Sequence, residues 1–148
     1  MILLDTNVIS EPMRPKPDRK VLVWLDAQAA ETLYLSTVSL AELLLGIESL
    51  PAGKRRKALA GAFHEQVTAL FGERIVPFDL AAAETYAKIV TRARRHGHPI
   101  AVADAQIAAI AASRQFTVAT RDQEPFKAAG VPVINPWTAT AEGPVGSV

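Results

Sequence analysis

Four acidic residues, Asp5, Glu42, Asp104 and Asp122, carry the strongest chemical signal in the sequence. Asp5 ends the apolar run Ile2–Leu4, and Asp122 stands just past a second one, Thr117–Ala119. Asp104 falls in line with Ile100, Ile107 and Ala111 at helical spacing, and Glu42 with Val38, Leu45 and Gly46. A partly buried carboxylate without a partner is costly or takes up a proton. Several together repel one another unless something positive sits among them. A hard divalent cation such as Mg²⁺ meets that need, because it takes oxygen ligands and keeps several waters. It can then activate a water and stabilise a phosphate in transfer. The hydroxyls of Thr6 and Thr120 stand ready to support such a site.

Each acid also has a local reading. Ser39-x-x-Glu42 matches a capping box, so Glu42 could simply tie down a helix start. Asp122 could be the N-cap of a short helix around Phe126. Asp5 could close an Asx-turn after its strand. Asp104 lies too far past Pro99 to cap the helix expected there, and its stripe is apolar. One metal site accounts for all the positions together. Other chemistries lack their motifs. His64, His96 and His98 form no H-E-x-x-H, and there is no Walker A loop, no GxGxxG and no G-x-S-x-G elbow.

These residues need elements to position them. Ile2–Leu4 reads as a buried strand, and Glu11 to Pro17 as a Pro-rich loop. Asp18 can cap a helix to about Ala30, with Val21, Leu22 and Leu25 inward. Leu33–Leu35 reads as the next strand. A helix from Ser39 to about Ser49 follows, with Leu40, Leu43, Leu44 and Ile47 on one face. Beyond Pro51 and Gly53, a helix to about Phe71 places Leu59, Phe63, Val67 and Leu70 on a stripe, and Gly72 ends it. Arg74–Val76 is a third strand. Asp79 caps a helix with Ala83, Ala87 and Val90 inward, and Pro99 opens an Ala-rich helix to about Ser113. Thr117–Ala119 and Val133–Ile134 complete five strands. Strands alternating with helices predict an α/β fold, a parallel sheet with helices on both faces. In such sheets ligands bind beyond the carboxyl ends of the strands, where Asp5, Thr120 and Asp122 fall.

Bulk properties narrow the class. A chain of 148 residues fits one domain, and a hydrophobic content of 49% excludes a disordered tail protein. With 16 basic against 15 acidic residues, any nucleic-acid binding must come from local clusters. The absence of cysteine excludes disulfides and Cys-ligated zinc, and suits a reducing cytoplasm. The start lacks a basic region before its apolar run, as a signal peptide would have, and no stretch approaches the roughly 20 apolar residues of a membrane span. A cytoplasmic protein with no membrane partner is expected. Lys54-Arg55-Arg56-Lys57 and Arg92, Arg94 and Arg95 could be solvated helix faces or phosphate contacts.

The segments MILLDTNVISE, STVSLAELLLG, IAVADAQIAA and VATRD hold the acids in an order that resembles PIN-domain nucleases. The resemblance runs from Met1 through Asn135-Pro136-Trp137 and is strongest to the toxins of bacterial toxin–antitoxin pairs, the VapC and FitB type. It implies a single PIN-like domain over residues 1–137, with 138–148 a flexible C-terminal tail. It implies a five-stranded parallel sheet with the acids on one edge, and Mg²⁺- or Mn²⁺-dependent cleavage of RNA. Asp5, Glu42 and Asp104 match the acids that family members share, and Asp122 the more variable fourth. Thr6, Asn7 and Thr120 match neighbouring polar residues that orient ligands. The resemblance further implies a homodimer, a cognate antitoxin and an RNA substrate. Two alternatives stand beside it. One is a non-catalytic module of the same fold that binds a cation or an antitoxin. The other is a phosphate-handling α/β enzyme or receiver domain, for which Asp79 would stand near the phosphoacceptor position.

Overall fold

The computed structural model describes residues 1–140. Ile2–Leu4 forms β1, and Asp5 caps a one-and-a-half-turn helix, α1 (Thr6–Ser10), that the sequence reading leaves unassigned. A 3₁₀ turn, Glu11–Met13, opens the loop expected before Asp18. Buried Glu11 accepts the Asp18 N–H at 2.9 Å and so closes that loop. Asp18 caps α2 (Arg19–Ala27), as expected, and β2 (Leu33–Ser36) follows. Next come α3 (Thr37–Glu48), α4 (Lys54–Phe71), β3 (Ile75–Val76), α5 (Leu80–Arg95), α6 (Val102–Arg114), β4 (Thr117–Ala119), α7 (Glu124–Ala128) and β5 (Val133–Ile134).

All the strand pairs are parallel, in the order β3-β2-β1-β4-β5. The chain builds outward from β1 to β3, then returns to the other side of β1 for β4 and β5. The winding therefore reverses between β1 and β4, where an open α/β sheet leaves a crevice at its carboxyl edge. Leu3 and Leu4 point to opposite faces, and both are buried. On one face Leu4, Leu35 and Ala119 pack with Val8, Val21, Phe63, Val67 and Trp137. On the other, Leu3 and Val118 pack with the Ala-rich α6 and with Ile89 and Phe126. Burial on both faces explains strands that are apolar runs rather than alternations.

Several expectations shift. On α4 the inward stripe ends on Phe71, and Leu70 is 57% exposed. On α5 the buried face is Ala82, Ile89 and Ala93; Ala83 and Ala87 are exposed and Val90 is half-buried. An Ala-rich helix offers two nearly equal faces, and the larger Ile89 decides between them by burying more apolar surface. On α2 Trp24 is buried beside Val21, with Leu22 and Leu25 half-buried; on α3 Leu44 is 44% exposed. Asp79 is the N-cap of α5, bonded to the Ala82 N–H at 2.9 Å and paired with Arg114 at 3.5 Å, a structural use. Thr138 and Ala139 donate backbone N–H groups to the Asn135 carbonyl, and the rest of the expected tail, 141–148, lies outside the described residues.

Candidate active site

Register places the first acid. Leu4 pairs with Leu35 on one side and Ala119 on the other, so Asp5 stands level with Ser36 and Thr120 at the carboxyl ends of three adjacent strands. The Asp5 N–H still donates to the Ala119 carbonyl at 2.9 Å, which extends the ladder into the site. Its carboxylate is buried, and it accepts the Thr6 N–H at 2.8 Å and the Thr120 hydroxyl at 2.8 Å. The single Thr120 proton is thereby used, and its oxygen accepts the Asp122 N–H at 3.1 Å. Asn7 donates to Asp5 and to Thr120, each at 3.4 Å, while its carbonyl oxygen accepts the Arg121 N–H at 3.3 Å. Thr6, Asn7 and Thr120 thus tie the end of β1 to the end of β4.

The other acids arrive from helices and the β4 loop. Ser36, not Ser39, caps α3, accepting the Ser39 N–H at 3.0 Å. The Ser39-x-x-Glu42 capping box is therefore not formed, because the helix begins two residues earlier. Glu42 lies in the second turn, exposed rather than in an apolar stripe, and accepts the Thr6 hydroxyl at 3.3 Å. Asp122 does not cap α7, whose N-cap is Gln123. It is exposed just beyond Thr120. Asp104 sits half-buried in the first turn of α6, because that helix starts at Val102 rather than at Pro99. A first-turn acid favours the helix dipole, so its position is less anomalous than the sequence suggests. Even so, its carboxylate has no hydrogen bond among the described residues.

Electrostatics join the four. Burial raises the Asp5 carboxyl above its ordinary range; the Thr120 and Thr6 hydrogen bonds pull it back, and Glu42 and Asp122 raise it further. Burial also raises Asp104, with Asp5 and Asp122 adding to the rise. The acids therefore face one another closely enough to repel. Among the described residues, however, no three acidic, histidine or cysteine side chains close around one point tightly enough to hold an ion directly. The donor set is all carboxylate oxygen. It fits a hard divalent ion that retains much of its water, and not a soft metal or a preformed tetrahedral cage.

The basic clusters stay apart from this network. Lys54–Lys57 opens α4, and Arg92 donates to the Ala129 carbonyl at 3.0 Å. Arg121 is the neighbour that the sequence reading passed over. It lies inside VATRD, between two site residues, and its guanidinium carbon lies over the Trp137 ring, 5.1 Å from the ring centre.

Comparison with known proteins identifies the family of the fold. The PIN domain family matches residues 2–131. The chain is 50% identical over 137 residues to VapC ribonuclease Y4jK of Sinorhizobium fredii, covering 93% of this chain and 98% of the relative. It is also 50% identical over 137 residues to toxin FitB of Neisseria gonorrhoeae, covering 93% of this chain and 99% of the relative. The crystal structure of FitAcB from the same organism superposes with a TM-score of 0.91 at 49% identity, covering 94% of this chain and all of that one.

Proposed function

The chain belongs to the PIN-domain family, and on that premise we propose that it is a metal-dependent endoribonuclease acting as the toxin of a type II toxin–antitoxin pair. The observation that carries the reading is buried Asp5 at the reversal point of the sheet, pinned by Thr6 and Thr120 and crowded by Glu42, Asp104 and Asp122. Such a cluster is stable in its charged form only with a cation among its members.

Asp5, Glu42, Asp104 and Asp122 would hold Mg²⁺ or Mn²⁺. The ion would supply an activated water and offset charge on the phosphate. The chain's own part is positional. Thr120 and Thr6 favour the ionised form of Asp5 and aim it, Asn7 ties the end of β1 to the end of β4, and Glu42 and Asp104 bring charge from α3 and α6. No histidine is hydrogen-bonded to these acids, so the imidazole acid–base pair that usually serves attack by the RNA's own 2′-hydroxyl is missing. Hydrolysis by water is therefore expected, leaving a 5′-phosphate and a 3′-hydroxyl. The test is digestion of a defined RNA with Mg²⁺ or with EDTA, followed by mapping of the product ends. Cyclic-phosphate ends formed equally well in EDTA would reject the mechanism. A protein that binds Mg²⁺ but never cuts would favour the non-catalytic reading.

The name and the solved complex of the FitB relative support an antitoxin partner. An apolar cavity of about 420 Å³ between α1, α2 and α4 suits an apolar segment of that partner, with Met13 and Leu70 exposed among its lining residues. Leu44 and Leu45, exposed on α3 just after Glu42, suit the proposed homodimer contact. No helix of the described residues is long and apolar enough to cross a membrane, and the cytoplasm is the proposed location.

A further inference from the structure

Arg121 is a cation next in the chain to site residues that nevertheless pairs with none of the acids among the described residues. It lies between Thr120 and Asp122, yet it forms no ion pair among the described residues, where the pairs are Arg14–Glu11 and Arg114–Asp79. Its backbone N–H is tied to Asn7, and its guanidinium lies over Trp137. Trp137 is itself a fixed wall, only 8% exposed. Asn135 accepts the Trp137 N–H on its side-chain oxygen at 2.9 Å and the Ala139 N–H on its carbonyl at 2.8 Å, while the Thr120 N–H donates to Ile134. The turn after β5 thus presents an indole face to the residue after Thr120. The side chain is held at both ends and remains exposed.

A guanidinium held over an aromatic face spends none of its five N–H donors on a hydrogen bond there, so donors remain for a ligand. Those donors form a fork that matches a phosphate. The location matters as much as the fork. Four carboxylates repel an approaching polyanion, and a cation held among them offsets only the phosphate it touches. A neighbouring phosphate needs its own positive partner beside the acids, held where it cannot collapse into them. Trp137 provides that restraint.

We propose that Arg121, held over Trp137, is a substrate-binding residue that grips an RNA phosphate adjacent to the one cut. The assignment rests on the nuclease reading above. Binding of a fluorescent single-stranded RNA is measured over a salt series with Mg²⁺ in an Asp104→Asn background, where cleavage is suppressed. Steady-state cleavage is measured separately with Asp104 intact. Arg121→Ala should weaken binding about tenfold and flatten the slope of log affinity against log salt by about 0.7, the loss of one single-strand phosphate contact. Arg121→Lys should keep the slope and recover only part of the affinity, since an ammonium neither forks nor stacks in the same way. In cleavage, the Arg121→Ala loss should fall on KM. Unchanged affinity and slope would overturn the assignment. So would a lower melting temperature with the slope intact, which makes Arg121 a brace for Trp137, or a loss confined to binding of a protein partner. Wild-type protein that binds RNA but does not cut it overturns the nuclease reading alone, because the binding arm still reports on Arg121. Wild-type protein that does not bind RNA overturns both.

Discussion

The acidic edge has two unlike halves. On the strand side, Asp5 and Thr120 are buried and cross-linked by bonds of 2.8 to 3.4 Å that run through Thr6, Asn7 and the Asp122 backbone. On the helix side, exposed Glu42 has one long bond and half-buried Asp104 has none among the described residues. The strand half is preorganised by main-chain pairing. The helix half contributes charge that no ion pair among the described residues opposes. A site built this way has a cross-linked anchor and a less bonded counterpart, and its carboxylates would suit a hard divalent ion that keeps part of its water shell.

Removing charge from either half should slow cleavage severely, and this is the largest effect expected. A lost metal-holding carboxylate removes several kcal/mol of charge stabilisation, so Asp5→Asn and Asp104→Asn should each slow cleavage by about a thousandfold. The halves should part in stability. Asp104→Asn discards repulsion and breaks no hydrogen bond, so the metal-free melting temperature should rise. Asp5→Asn sets an amide against donors placed for a carboxylate and should gain less. Thermal melts without metal, beside single-turnover assays, decide the matter. Full activity in a folded Asp104→Asn protein would remove the helix half from the site.

Thr120→Val tests the anchor without touching an acid. Residues that orient metal ligands typically contribute about 10- to 100-fold, and that loss of activity is expected here. Folding should weaken by about 1–3 kcal/mol, because the buried Asp5 oxygen loses its 2.8 Å donor. Wild-type activity in Thr120→Val would show that the anchor needs no cross-link.

The smallest effect is in the pH profile. Asp5 and Asp104 both have carboxyls raised on folding, chiefly by burial. Each therefore binds its proton more tightly in the folded state. The resulting stabilisation is fully present below the unfolded carboxyl value, about 4, and is lost as pH rises through the higher folded value. The metal-free advantage of Asp104→Asn over wild type should accordingly be absent at low pH and grow toward neutrality, by a few degrees in melting temperature. Added Mg²⁺ should raise the wild-type melting temperature more than that of the variant. A gap that does not vary with pH would mean that the Asp104 carboxyl is not perturbed by folding.

Much of this was legible in the residues. Runs such as Ile2–Leu4 and Thr117–Ala119 can only be buried strands, and Asp18 and Asp79 announce the helices they cap. The misreadings share a cause. Ser36 and Ser39 both precede a helical stripe, and sequence cannot say which one caps it; pairing of β2 with β1 ends at that point and hands the role to Ser36. The inward face of α5 was ambiguous because alanine buries too little to choose a face by itself.

The sequence by itself determined the alternation of strands and helices, because apolar periodicity is a local property, and it singled out the four acids as candidates. The tertiary structure decided how those acids differ. Parallel pairing of β1 with β4 brings Thr120 onto Asp5 across 115 residues of chain, and the turn after β5 brings Trp137 under Arg121. Such contacts depend on strand order and register. These are fixed by burying both faces of the sheet at once, and no local stretch of sequence contains them.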